Sequence, residues 1–252
     1  MILILLLLFL LYTCYTCCYA CDKRVIYENF SNVVEFVDKE ILIKMLIENK
    51  DNFYNYFYNN DYKVRNINNI SEYNNRIIAS VVNLNDEEKN KVIQCCNDIE
   101  DKKYSWFDNI KFNNIKWRIG TVSGTLYENG LPHTRNDVII ISKEYINKSS
   151  IKELTRTLLH EKVHIYQKLY PKDVDNFLDS YKFKKLKLRD AQDNTRANPD
   201  IDQWIYTDDN NTVYKAEYNP NPISLHDTKL SSQLYEHPFE KMAIEISNIF
   251  SN

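Results

Sequence analysis

The chain has 252 residues, of which 44% are hydrophobic and 27% are charged, and this balance is typical of a folded soluble domain. Its length allows one large domain or two modest ones, and either can bury a hydrophobic core. The formal net charge is only −3. A strongly basic surface is therefore not expected, and we predict no nucleic-acid partner.

The first 21 residues are predicted to be a signal peptide or a membrane anchor. Residues 1–12 form an unbroken apolar run, which is short for a membrane span and suits the core of a signal peptide. Two features favour an anchor instead: Lys23 and Arg24 follow the run, and the segment reaches about 20 residues. We expect a secreted or lumenal protein, with membrane anchoring through residues 1–20 as the alternative.

Residues 22–103 are predicted to form a small helical region. Apolar residues recur at three- and four-residue steps within residues 33–47, as an amphipathic helix requires. A second helix is expected to begin after Asn85, whose side chain can cap an acidic first turn. The Asn- and Tyr-rich residues 53–69 lie between the two and are expected to be a loop.

Residues 104–252 are predicted to be an α+β domain with a small sheet and two principal helices. The expected elements are strands at 117–122 and 138–142, a helix at 151–170, a strand at 212–218 and a helix at 238–250. Ser150 is suited to cap the first of these helices, and Pro171 is expected to end it. Pro238 suits the first position of the last helix.

The helix at 151–170 carries the sequence His160-Glu161-Lys162-Val163-His164. Residues four positions apart share one helix face, so both imidazoles can reach one cation, and imidazole is a good Zn²⁺ ligand. Glu161 is rotated by about 100° around the axis and can act as a general base on a water at the metal. The histidines lie off the main apolar stripe of the helix. Lys162 falls within that stripe and is expected to extend its ammonium group to water.

A third zinc ligand is required, and the last helix is its best source. Glu240 lies at the edge of an apolar face, and Ala243 follows one turn later, where a small side chain allows close helix packing. A carboxylate in a first helical turn is also favourable without any metal. The other candidates for this ligand are Glu236, His237 and His226.

The combination of a strand, a helix with the H-E-x-x-H motif and a glutamate from a later helix resembles a zincin metallopeptidase of the gluzincin type. The resemblance covers residues 104–252. It implies that His160, His164 and Glu240 bind Zn²⁺ and that Glu161 is the general base for hydrolysis of a peptide or protein substrate. It also implies that residues 137–142 form the cleft edge where an extended substrate pairs.

Two points stay open at this stage. Zincin sites often add a Tyr or His that stabilises the transition-state oxyanion, and Tyr235, Tyr206 and His226 are the candidates. The alternative to an enzyme is a catalytically silent zincin-like binding module, secreted or membrane-anchored. A helical, membrane-tethered interaction protein without metal is a third possibility.

Overall fold

The computed structural model of the chain describes residues 34–104, 108–192, 194–232 and 235–251. The leader at residues 1–21, predicted to be a signal peptide or a membrane anchor, lies outside these ranges. Among the described helices, none combines the length and the apolar character needed to cross a bilayer.

The main sheet has four strands and is covered on both faces. Strands β1 (Val34–Phe36), β2 (Trp117–Val122), β3 (His133–Arg135) and β4 (Val138–Ser142) lie in the order β1-β2-β4-β3. β1 and β4 run parallel to β2, whereas β3 runs antiparallel to β4. All of β4 is buried, and only Arg118 of β2 is partly exposed. Such continuous burial is expected for central parallel strands between two layers.

Nine helices surround this sheet in the described residues. Before β2 come α1 (Lys39–Glu48), α2 (Asn59–Val64), α3 (Ile70–Ser80), α4 (Asp86–Glu100) and α5 (Asn109–Asn113). After β4 come α6 (Lys143–Lys148), α7 (Ile151–Leu169), α8 (Pro171–Ser180) and α9 (Pro238–Ser247). Two small antiparallel sheets lie between α8 and α9: β5 (Lys184–Leu188), β6 (Trp204–Thr207) and β7 (Val213–Tyr214), then β8 (Ala216–Tyr218) and β9 (Thr228–Leu230).

Alternate side chains of β4 enter two different hydrophobic clusters. Ile139 and Ile141 pack in one cluster with buried side chains of α4, α7 and α9. Val138 and Ile140 pack in the other cluster with side chains of α1 and α3. This two-sided packing follows from the period of two along a strand. It also places α7 on the sheet face where α4 and α9 are its neighbours.

The α+β class predicted from the sequence is confirmed, and so are several helix boundaries. Asn85 caps α4, and Ser150 caps α7. Pro238 occupies the first position of α9. Pro171 follows α7 as predicted, and it also begins α8, because proline is tolerated in a first helical turn.

Other local predictions were wrong. Within residues 33–47, Val34–Phe36 form strand β1, and the helix begins only at Lys39 after the Asp38 cap. Residues 53–69 are not simply a loop, because they contain α2 and bury Phe53 and Phe57 in a hydrophobic cluster. The strand predicted at 212–218 is divided between two sheets.

The helical first part of the chain shares its packing with the rest of the protein. β1 pairs with β2, so residues from both sides of position 104 build one sheet. Val92 and Ile99 of α4 lie in the same hydrophobic cluster as Leu158 of α7. The described part of residues 22–103 is mostly helical, yet residue 104 does not separate two hydrophobic cores.

Candidate metal centre

Helix α7 is anchored at its start and buried along most of its second half. Ser150 and Glu153 form a reciprocal capping box, in which each side chain accepts a hydrogen bond from the other residue's backbone N–H. The buried residues between positions 161 and 167 are Glu161, Lys162, Val163, His164, Ile165, Tyr166 and Gln167. This segment therefore presents polar groups inside the protein, where they require partners.

His160, His164 and Glu240 converge at one point. The two Nε2 atoms are 3.0 Å apart, and the Glu240 carboxylate oxygens lie 3.2 Å from His160 Nε2 and 3.3 Å from His164 Nε2. Metal–ligand bonds of about 2.0–2.1 Å in a tetrahedron place ligand atoms about 3.3 Å apart. The spacing and the donor types both fit a zinc ion. Of the described residues, this trio is one of two groups whose donors could hold a metal.

The charges of this trio depend on one another. Burial works to raise the pKa of the Glu240 carboxyl, but the two imidazoles outweigh it and hold that pKa well below its usual range. Burial likewise works to lower the pKa of His164, and the negative charge of Glu240 reverses this and raises the pKa. Without a metal, Glu240 and His164 therefore favour each other's charged forms, and a bound metal ion would take the place of the proton on His164.

Gln167 orients His164 and joins the two helices of the site. Its side-chain nitrogen donates to the Phe239 carbonyl over 3.0 Å, which fixes the orientation of the amide. Its amide oxygen lies 2.9 Å from His164 Nδ1, so it accepts a hydrogen bond from that nitrogen. The proton on Nδ1 leaves the lone pair of Nε2 free to face the metal position.

We expect Gln167→Ala to weaken zinc affinity by about 10- to 100-fold, because His164 loses the partner that sets its tautomer and ring orientation. Competition with a chromophoric chelator measures the dissociation constant. Gln94→Ala, on the exposed side of α4, is the matched control and should leave the affinity unchanged. An unaltered affinity in Gln167→Ala would contradict this role.

Glu161 lies next to the trio with one carboxylate oxygen unsatisfied. The residue is 5% exposed, and its Oε2 has no hydrogen-bond partner in the described structure. Burial raises the pKa of this carboxyl to about 8, with the nearby charges of Asp200 and Glu240 adding to the effect and His160 opposing it. A carboxyl group whose pKa is raised towards neutral pH can both accept a proton from water and give it up again.

The sequence predicted that the ammonium group of Lys162 extends to water, and this prediction was wrong. Its side chain is fully buried and forms an ion pair with Glu100 of α4. Its ammonium group also lies 4.3 Å from the ring centre of Trp117 and 4.6 Å from that of Phe112. The apolar stripe of α7 thus includes one buried charge, which is compensated by a neighbouring helix.

The other candidate ligands have different roles in the structure. Glu236 reaches the same cavity but is ion-paired with Arg196. His237 caps α9 and lies 3.0 Å from an Asp202 oxygen, and His226 is exposed in a turn.

None of the three candidate oxyanion stabilisers is in the described lining of the cavity around the trio. His226 is in the exposed turn. The Tyr206 hydroxyl donates to Asp202, and Tyr235 packs beneath the ammonium group of Lys241.

The cleft-edge strand also differs from the prediction. Residues 138–142 form β4, which is paired on both sides, with β2 and with β3. The sheet edge on this side is therefore β3, whose residues follow Pro132 in the sequence. Because β4 supplies no open edge, an extended substrate cannot add to it.

The cavity around the trio has a volume of about 200 Å³ and includes residues that sequence reasoning missed. These residues are the segment Arg196–Asp200, which forms one wall of the cavity. Asp200 also belongs to the second group that could hold a metal, together with Glu161 and His164.

A larger cavity of about 730 Å³ lies between α6, α7 and the β2–β3 connection, and its described lining contains no histidine. The smaller cavity is the one whose described lining contains both groups that could hold a metal.

Comparisons with protein-family models, with curated proteins and with solved structures found no match.

Proposed function

We propose that the protein is a zinc-dependent metallopeptidase, in which His160, His164 and Glu240 hold the metal and Glu161 is the general base. The observation that supports this most directly is the convergence of two imidazole Nε2 atoms and one carboxylate at 3.0–3.3 Å. The chain would thus resemble the zincins, with the helix α7 and the helix α9 supplying the ligands.

Bound zinc would polarise the scissile carbonyl and lower the pKa of an attacking water molecule. Glu161 accepts the proton of that water, and its unsatisfied Oε2 provides the acceptor. The same carboxyl then donates the proton to the leaving amine, so that one residue serves both halves of the reaction. Gln167 keeps the His164 ring in place throughout.

The test of this proposal is metal content. The full chain should bind one zinc ion, measured by equilibrium dialysis and mass spectrometry of the metal. His164→Ala should reduce the affinity by several orders of magnitude, because it removes one of three protein ligands. His226→Ala is the matched control, since His226 is exposed and lies outside the described cavity lining. The proposal would be wrong if the full chain binds no zinc, or if His226→Ala abolishes zinc binding.

A further inference from the structure

The cavity that contains the trio is small. Its volume of about 200 Å³ is below the 300–1,000 Å³ of a typical pocket for a drug-sized ligand. The segment Arg196–Asp200 forms one wall, and Phe53, Leu131 and Leu225 are among its apolar lining residues. The space admits one end of a peptide more readily than the middle of a long chain.

The nearby sheet edge is closed to an extended substrate. Thr134, the central residue of β3, is fully buried. Its backbone N–H donates to Asp200 over 3.5 Å, and its side-chain oxygen accepts a hydrogen bond from Lys168 Nζ over 2.6 Å. Lys168 Nζ also lies 3.5 Å from the Thr134 carbonyl oxygen. A peptide that binds by strand addition needs the backbone groups of an edge strand, and here they are covered.

Asp200 presents a carboxylate to the cavity without a direct ion pair among the described residues, although it lies close enough to the buried Lys168 for its charge to oppose the effect of burial on the pKa of that lysine. Its carboxylate lies within 4.8 Å of donor atoms of Glu161 and His164. In the described residues it forms no ion pair, whereas the two arginines of the cavity wall do: Arg65 pairs with Glu128, and Arg196 pairs with Glu236. The carboxyl group of Glu161 lines the same cavity, and its buried Oε2 has no hydrogen-bond partner among the described residues. The cavity thus offers the Asp200 carboxylate to a cationic ligand.

We infer that the substrate is a short peptide with a free N-terminus, and that Asp200 binds its α-ammonium group. This inference rests on the proposed metallopeptidase function. The α-nitrogen is two bonds from the carbonyl carbon of the first residue, at about 2.5 Å, so both groups must bind at adjacent points. Asp200 and the metal ligand His164 are such neighbours. The enzyme is then an aminopeptidase.

The reaction balances with water as the only co-reactant. The oxygen of water forms a bond to the carbonyl carbon of the first residue, and the first peptide C–N bond breaks. One proton of water passes through Glu161 to the leaving nitrogen. The products are the free N-terminal amino acid and a peptide shorter by one residue, and the ammonium group on Asp200 is unchanged.

The experiment compares a mixed-sequence library of synthetic tripeptides with the same library acetylated at the N-terminus. The zinc-loaded full chain should release the first residue of the free peptides, and kcat/KM for the acetylated peptides should be about 100-fold lower, because Asp200 loses its partner. In Asp200→Asn this ratio should fall to near 1 while zinc content is retained. Asp209→Asn, which changes an exposed aspartate that pairs with two lysines, should keep the ratio of the unmodified chain.

A binding measurement keeps the inference testable where turnover is too slow to detect. Zinc-loaded Glu161→Gln should bind trialanine about 100-fold more tightly than N-acetyltrialanine in titration calorimetry. Equal affinity, equal cleavage of both libraries, or an undiminished ratio in Asp200→Asn overturns this inference while the zinc site stands. A chain that binds no zinc overturns both the inference and the proposed function.

Discussion

Glu161→Gln is expected to lower kcat by about 100- to 10,000-fold while the protein retains its zinc. General acid–base catalysis by a positioned side chain contributes a factor of this size. The amide has the shape of the carboxylate but cannot accept a proton from water at neutral pH. Initial rates on a peptide library, together with metal analysis of the same sample, measure both effects.

Glu161 is suited to this experiment because its contacts are few. It is 5% exposed, its Oε2 has no partner, and it is not one of the three proposed ligands. The substitution therefore separates proton transfer from metal binding. Glu87→Gln, in the exposed first turn of α4, is the control and should leave the rate unchanged. A Glu161→Gln variant with full activity would show that another group is the base.

The convergence of the histidines was predictable because it depends on local geometry. Residues 160 and 164 share a face of any α-helix, and the Ser150 cap makes that helix easy to recognise. Glu240 could be chosen because its own helix has an apolar face with Ala243 one turn away. In the structure both Ala243 and Met242 are buried in the same cluster as α7 side chains. Amphipathic patterns identified the two helices, and the packing of these helices brings His160, His164 and Glu240 together.

Features that depend on distant partners were not predictable. The sequence of β1 continues the apolar pattern of the helix that follows it. It forms a strand because it pairs in parallel with β2, which lies about 80 residues later. Asp200 lies in an irregular segment whose position is set by hydrogen bonds to remote residues. Among them, Asp61 accepts a hydrogen bond from the Ala197 N–H at 3.2 Å. No periodicity within the sequence reveals such contacts.

Lys162 shows how a correct pattern can yield a wrong expectation. The helical period correctly placed it within the apolar stripe of α7. A lysine in that position normally extends to water. Here Glu100, 62 residues earlier, provides a carboxylate, and Trp117 and Phe112 provide aromatic faces for the ammonium group.

Lys162→Ala is therefore expected to lower the free energy of unfolding by about 3–5 kcal/mol. Removal of one partner from a buried ion pair leaves the other charge uncompensated, and the lost side chain leaves a cavity. Denaturant titration followed by circular dichroism measures the change. Arg156→Ala, on the exposed side of the same helix, is the control and should change stability by less than about 0.5 kcal/mol.

The double variant Lys162→Met and Glu100→Gln separates the cost of an unpaired charge or a cavity from the loss of the ion pair itself. It replaces the pair by uncharged side chains of similar volume, so most of the loss seen in Lys162→Ala should be recovered. A double variant as unstable as Lys162→Ala would show that the ion pair and the cation–π contacts themselves stabilise this position, since neither an unpaired charge nor a cavity remains. Because Glu100 ends α4 and Lys162 lies two residues before His164, this pair connects the N-terminal helices to the segment of α7 that carries the proposed metal ligands. Deletion of residues 34–103 should therefore abolish zinc binding along with the folded state.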